Sequence, residues 1–576
     1  MNAIRLGTLI GETPSSKPEH RTTPLAWDRA RHLQALGERI FDLVVVGGGA
    51  TGCSVARDAA LRGLDVCLLE RGDVASGASS RSTRFIHGGL RYLKTYEFGF
   101  VREGLQERSI LMTAAPHLVR PAQFLYPAYR RGGTPRWILR LGVGLYDLLA
   151  GRKRLPGSRL LGAPETLALE PGLRPEGLSG AVLYTDAGTD DARLVVETAV
   201  SAVEAGAIVA LHVEVERVIP SDTGPAVLVL KDRLGDTPLG VRGAVVVNAA
   251  GAWVGGILNG PSPPDRPSRG ATLLRPSRGS HLVVARETLP VSHVVVMTSR
   301  RDGRILFAVP AGEFTYLGTT EVDHPGALDE VRADSTEVDY ILSVAGEVFR
   351  EGPIPRHRIL STWAGIRPLL DRVGQPTGRL SRDFRILQEA PGVVTVAGGK
   401  LTSCRRMAEA SVDLAVSILA GRFGRKADAC ITGWKLFPGA EGPPPGGEDE
   451  IPPGLDPAVV RHLVSTYGFR ATRIFRRIAG NPPTGVPFAS GCAATPAEVV
   501  HAVGSEGAVR LADLLFRRLH PHCLEARMAG AGGKTVMEGA ARVMAACLGW
   551  SEAQRAQEVV ATLAEWKRDF SVPLEG

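Results

Sequence analysis

Three β-branched positions, Val44 to Val46, run into the glycine turn GGGATG. Behind the turn, CSVARDAALRG repeats its small and apolar positions at helical spacing, and LDVCLLERGD then returns to a short apolar run. The pattern predicts strand, tight turn, helix and strand over 41–73, a βαβ unit. The same change of period occurs in TAVSAVEAGAIVALHVEVERVI (198–219), read as helix then strand, and GAVVVNAAGAWV (243–254) reads as a buried strand ending in small residues. Between about 271 and 322 the short runs SHLVVA, RILFAVP and FTYLGTT predict an antiparallel sheet. VVTVAGG (393–399) is a strand that leads into a helix beginning near Leu401. PGAEGPPPGGEDEIPPGLDP (438–457) has linker composition, and 458–572 keeps helical spacing almost throughout. An arm with a short helix, about Pro24 to Glu38, precedes the first strand, and there is no internal repeat.

Gly47, Gly49 and Gly52 satisfy GxGxxG, and each has a mechanical task. They permit the tight turn, the approach of backbone to a pyrophosphate, and close packing of helix on strand. The helix N-terminus then offers unpaired N–H groups to phosphates. Glu70 follows 18 residues after Gly52 at the end of the second strand, placed to accept ribose hydroxyls and to repel a 2′-phosphate, which disfavours NADP. Three further glycine-rich segments, GASSRSTRFIHGGLRYL, VVNAAGAW and VAGGKLTS, are what an isoalloxazine covered by later chain requires, so the nucleotide expected is FAD.

Composition narrows the partners. The 576 residues carry a formal charge of +8, led by arginine and spread along the chain, which favours an anionic partner such as a phosphorylated metabolite, a nucleotide or an acidic membrane surface. No compact basic block or finger spacing points to nucleic acid. Seven widely spaced cysteines without a CxxC indicate a reducing compartment rather than a disulfide framework. HPHC (520–523) has no second cluster to complete a metal site, so no metal is expected. The first forty residues lack an apolar signal core, and Glu12, Glu19, Asp28 and Glu38 argue against a transit peptide. No uninterrupted apolar stretch reaches spanning length.

From about 41 to 570 the chain resembles the FAD-dependent glycerol-3-phosphate dehydrogenases. The resemblance rests on the βαβ segment, ASGASSRSTRFIHGGLRYLKTYEFGFVREGLQER, TDDARLV, RGSHLVV, LGTTEVD, STWAGIRPLL, LSRD and AGGKLTS. It implies an α/β FAD-binding Rossmann-like domain with a β-rich substrate domain (α+β) and a C-terminal all-α domain. The implied boundaries are an arm over 1–40, an FAD-binding domain in three pieces (about 41–120, 180–255 and 360–437), a substrate domain in two (about 121–179 and 256–359), the linker 438–457, and helices over 458–576. It also implies oxidation of sn-glycerol 3-phosphate to dihydroxyacetone phosphate, with electrons passing through FAD to a membrane quinone. The expected location is the inner face of the cytoplasmic membrane, held peripherally, and a homodimer is compatible with it. An oxidase using oxygen and a catalytically silent flavoprotein are the alternatives.

By the same resemblance Arg367, Arg382 and Lys400 are candidates for holding the substrate phosphate, with Thr402 or Ser403 offering hydroxyls and Arg84 near the flavin or the entrance to the site. His281 is the first candidate for base or hydroxyl orienter, because an unperturbed histidine titrates near working pH; Arg367 alternatively stabilises charge developing on the C2 oxygen. The cofactor set comprises Gly47, Gly48, Gly49, Thr51, Gly52, Glu70, Ser79, Ser80, His87, Gly88, Gly89, Leu90, Val215, Asn248, Gly251, Gly398, Gly399, Lys400 and Leu401. Arg84, Cys404, Ala311 and Leu519 stand where many members have lysine, tyrosine, tryptophan and threonine, and loss of aromatic bulk at Ala311 and Cys404 bears on pocket shape. PRWILRLGVGLYDLLAGRKR (135–154) fits both an interfacial helix and a helix packed inside the protein.

Overall fold

The strand Ile40–Val46 is apolar on both faces and takes parallel partners on both edges, Pro238–Asn248 and Val66–Glu70. The computed structural model in which this is seen describes residues 27–573 apart from 131–134, 152–154, 236–237, 258–272, 372–379, 381, 448–449 and 520–530. The sheet runs Phe384–Ala390, Val393–Gly398, Pro238–Asn248, Ile40–Val46, Val66–Glu70, Ile208–Leu211, with Ala226–Asp232 and Val213–Ile219 attached through Pro238–Asn248. Alternate side chains serve the two faces. Leu43, Val45, Val66 and Leu68 pack under the helices Ala50–Leu61, Asp191–Glu204 and Cys404–Phe423, while Val44, Val46, Cys67 and Leu69 pack with Leu228, Leu230 and Val241 of the attached strands. The βαβ unit read from 41–73 is thus in place, and the strand Val393–Gly398 delivers the chain through a short turn to the helix at Cys404.

The runs around 271–322 form antiparallel strands Leu274–Ala285, Ile305–Ala311 and Phe314–Gly318 of a second, ten-stranded sheet. This sheet also takes in Phe85–Ile86, Arg120–Tyr129, Leu178–Gly188 and Ile359–Leu370. The expected division of the chain put 85–86, 180–188 and 360–370 with the nucleotide unit, and in the structure these strands pair within the second sheet. The three segments cross to the other sheet and carry their side chains to the cleft between the two. The physical reason is register: Ile359–Leu370 pairs with Leu274–Ala285 over nearly its whole length, and a propensity reading has no access to that partner.

Of the expected linker, Pro438 and Gly439 are buried, and the Gly439 N–H donates to Glu197 at 2.8 Å. The helices that follow end in Glu552–Phe570, started by a capping box of Ser551 and Gln554. HPHC lies outside the described residues. Among the described residues no group of histidine, cysteine and carboxylate side chains could hold a metal, and no helix is long and apolar enough to cross a membrane.

Candidate active site

A cavity of about 1590 Å³ runs from the first glycine turn along the junction of the two sheets. That exceeds the roughly 300–1,000 Å³ of a pocket for one drug-sized ligand. At its first end Gly47 adopts φ +105°, and a Cβ there would lie 2.8 Å from the Ala249 carbonyl oxygen; a Cβ on Gly52 would lie 1.8 Å from the Gly47 carbonyl oxygen. Glycine is therefore required for the turn and for seating the helix Ala50–Leu61. Glu70 accepts the N–H of Gly48 at 2.6 Å on Oε2 and that of Gly72 at 2.8 Å on Oε1, while burial pushes its carboxyl above the ordinary range. Glu70 also lines the cavity. Ser79 Oγ accepts the N–H of Ala50, the first residue of the helix, at 2.9 Å.

Residues 81–90 form the middle of the wall. Asp191 accepts both the N–H (2.9 Å) and the hydroxyl (2.7 Å) of Ser82 and faces Arg84 at 3.6 Å; burial pushes its carboxyl up to about 6. Arg84 lies over the Trp363 ring at 4.8 Å. Thr83 Oγ1 is 3.0 Å from Nε2 of His281, whose ring stacks on Trp363 at 4.6 Å. Burial, with Arg367 and Arg84 nearby, holds His281 well below its ordinary pKa, so it is neutral at working pH. The His87 N–H donates to Thr402 Oγ1 at 3.1 Å. The Gly88 N–H donates to Tyr146 Oη at 2.8 Å, Tyr146 donates to Asp186 at 2.6 Å, and Arg108 donates to the other oxygen of Asp186 at 2.8 Å.

Arg367, Arg382 and Lys400 also line the cavity. Arg367 donates to Thr319 Oγ1 at 2.8 Å and to the Thr320 carbonyl at 3.1 Å, and its guanidinium occupies the space a Cβ on Gly279 would fill. Arg382 pairs with Glu321. Lys400 Nζ sits 4.1 Å from the Phe100 ring centroid.

This arrangement matches known proteins in sequence as well as shape. Residues 42–414 match the FAD dependent oxidoreductase family, and 397–555 match the C-terminal domain of alpha-glycerophosphate oxidase. Glycerol-3-phosphate dehydrogenase 2 of Mycobacterium tuberculosis is 36% identical over 550 residues, covering 94% of this chain and 89% of the relative. The chain belongs to the FAD-dependent glycerol-3-phosphate dehydrogenase family. The aerobic glycerol-3-phosphate dehydrogenase of Staphylococcus saprophyticus is 33% identical over 84% of this chain and 87% of its own. A crystal structure of the glycerol-3-phosphate dehydrogenase from Bacillus halodurans, complexed with FAD, superposes with a TM-score of 0.74 at 28% identity, covering 95% of this chain and 98% of that one.

Within this dehydrogenase fold the cavity gathers Gly47, Gly49, Thr51, Glu70, Ser79, His87, Gly89, Leu90, Val215, Gly251, Arg367, Arg382, Gly398, Gly399, Lys400, Leu401 and Thr402 on its wall. Gly48, Gly52, Ser80, Gly88, Asn248, Arg84 and His281 stand behind it. Asn248 donates to the Val254 carbonyl at 2.8 Å and shapes the turn rather than facing the cavity. Neither Ala311 nor Cys404 lines this cavity, so the bulk missing at those positions is not missing from its wall. Thr83, Gly279, Tyr146 and Asp186 were not singled out by sequence. The signal for Thr83 was its place in the SSRST run; for Tyr146 and Asp186 as parts of the wall there was none, because Gly88, Tyr146 and Asp186, bonded in series, are distant in sequence.

Proposed function

We propose that this chain oxidises sn-glycerol 3-phosphate to dihydroxyacetone phosphate with FAD as the acceptor. One observation carries the reading: the cavity lined by the dinucleotide turn is lined also by Arg367, Arg382 and Lys400. A dianionic phosphate held away from bulk water needs such partners. The residues fit FAD, because Gly47 and Gly49 line the cavity where the helix Ala50–Leu61 begins, and Glu70 supplies an acceptor at the ribose position. When bound, FAD supplies the hydride-accepting centre.

The chain's own residues do the rest. Arg367, Arg382 and Lys400 bind the phosphate, and Thr402 adds a hydroxyl beside them. Thr83 lines the cavity with its hydroxyl bonded to His281 Nε2, and the pair orients the substrate's C2 hydroxyl; burial and two arginines disfavour the imidazolium, so His281 acts as hydroxyl orienter rather than as the expected base titrating near working pH. Arg367 also stabilises charge developing on that oxygen.

The electron acceptor is a membrane quinone in this reading. Support comes from the helix Arg136–Ala150, which buries Leu139, Val143 and Tyr146 but exposes Trp137, Ile138, Leu141 and Leu148. Ile138 and Leu141 line the cavity, as do the exposed Tyr96 and Phe98. An apolar, aromatic rim at the cavity mouth suits contact with a lipid surface from which quinone is drawn. Turnover with a soluble quinone analogue, compared with oxygen consumption on an oxygen electrode, tests both parts. Quinone reduction without oxygen uptake is expected; oxygen uptake at an equal rate would make the chain an oxidase.

A further inference from the structure

The loop from Glu70 to Thr83 contributes much of the cavity wall, including Arg71, Ser76, Ser79 and Thr83, and it is fastened at both ends to helices beyond residue 510. Near its start, Asp73 is buried and receives Arg518 Nη2 at 2.8 Å, with further contacts from Arg518 Nη1 and Arg517 Nε. Arg517 is braced by Asp513 at 2.9 Å, and Asp513 bonds His212 at 3.0 Å, whose own N–H holds the Gly72 carbonyl at 2.8 Å. Near its end, Arg81 donates to Asp569 at 2.6 Å and lies over the Phe570 ring at 5.5 Å. Arg568 also holds Asp569, at 2.6 Å, and Arg568 and Asp569 themselves line the cavity.

Buried ion pairs of this kind contribute little net stability compared with apolar packing, but they fix geometry strictly, because an unmatched charge in the interior is costly. Part of the loop's course is set close by: Ala75 takes φ +61°, unusual for a residue with a side chain, with its N–H held by the Gly48 carbonyl at 2.9 Å, and Ser82 is held by Asp191. The C-terminal helices add a second restraint at each end of the loop, through Asp73 and through Arg81.

We infer that Arg81 with Asp569, and Asp73 with Arg517 and Arg518, are positioning residues through which the C-terminal helices hold the cofactor loop in its binding shape and so set the affinity for FAD. The inference rests on the FAD reading above. The C-terminal region is on this account part of the cofactor site rather than an appended module.

The test uses the full-length holoprotein. FAD release is followed by the rise in flavin fluorescence on dilution, for the parent, Arg81→Gln, Asp569→Asn and the conservative Arg81→Lys; melting of each flavin-free protein is recorded in parallel. The expected result is an FAD dissociation constant at least tenfold higher in Arg81→Gln and Asp569→Asn, recovery of much of that loss in Arg81→Lys, and losses of affinity that do not follow the flavin-free melting temperatures. Asp73→Asn, read the same way, is expected to weaken binding in the same direction. Arg81→Gln and Asp569→Asn variants that bind FAD within twofold of the parent would overturn the inference, as would a loss of affinity that follows melting temperature and is not recovered in Arg81→Lys. A parent that binds no flavin would overturn the FAD reading itself, and this inference with it.

Discussion

Thr83 and His281 share a hydrogen bond of 3.0 Å that leaves the hydroxyl on the cavity wall and the imidazole one residue behind it. The histidine reaches substrate only through the threonine. Thr83→Val should therefore lower kcat by roughly 100-fold, the size of one lost hydrogen bond made in the transition state, with little change in KM, while Thr83→Ser keeps most of the rate. Full kcat in Thr83→Val would remove that orienting role. Because burial and two arginines keep His281 neutral, the kcat profile should show no acidic limb near the ordinary histidine pKa of about 6.5.

Arg367 uses two nitrogens on Thr319 and Thr320 and fills the space over Gly279. A lysine there keeps the charge but loses the planar fork. Arg367→Lys is expected to weaken substrate use by ~10-fold or more in kcat/KM, about 1.4 kcal/mol, measured by steady-state kinetics. An unchanged kcat/KM would place the phosphate elsewhere.

His117 is half-buried against Gly439, and desolvation pushes its pKa down to about 4. In the unfolded chain the same group titrates near 6.5. As pH falls the unfolded state takes up the proton first, so the folded state loses stability through the window from about 6.5 down to about 4. Urea midpoints should drop between pH 7 and pH 5, and His117→Gln should shrink that drop. An identical pH dependence in the variant would show that other groups set it.

Tyr146 links the Gly88 amide to Asp186. Tyr146→Phe leaves a buried N–H without its acceptor and removes one donor from a buried carboxylate, at a cost of about 1–3 kcal/mol. Chemical denaturation should register that loss, and because Gly88 adjoins His87 and Gly89 on the cavity wall, weaker flavin binding should accompany it. Equal stability in the variant would mean that water replaces the hydroxyl.

The parts of this fold legible in sequence are those whose signal is local. The turn at Gly47 to Gly52, Glu70 at the strand end, and the strand Val393–Gly398 leading to Lys400 all carry their period, spacing and glycines within a few residues. Pairings across long separations were not legible. Ile359–Leu370 joined the second sheet through a partner some eighty residues away, Tyr146 met Gly88, and Asp73 met Arg518, each a contact that only the folded chain brings about. The same limit explains His281. Its residue type suggested a base in the site, but its stacking on Trp363 and its bond to Thr83, which together set it back from the cavity, depend on two strands and a loop meeting in space.

The central claim is that one cavity brings sn-glycerol 3-phosphate to FAD, and an anaerobic titration of the purified protein tests it most directly. Adding sn-glycerol 3-phosphate while watching the visible flavin band should bleach it, and glycerol or glycine should not. A flavin band that persists at saturating sn-glycerol 3-phosphate would contradict the assignment of Arg367, Arg382 and Lys400 to this substrate, and a protein with no flavin band would contradict the cofactor.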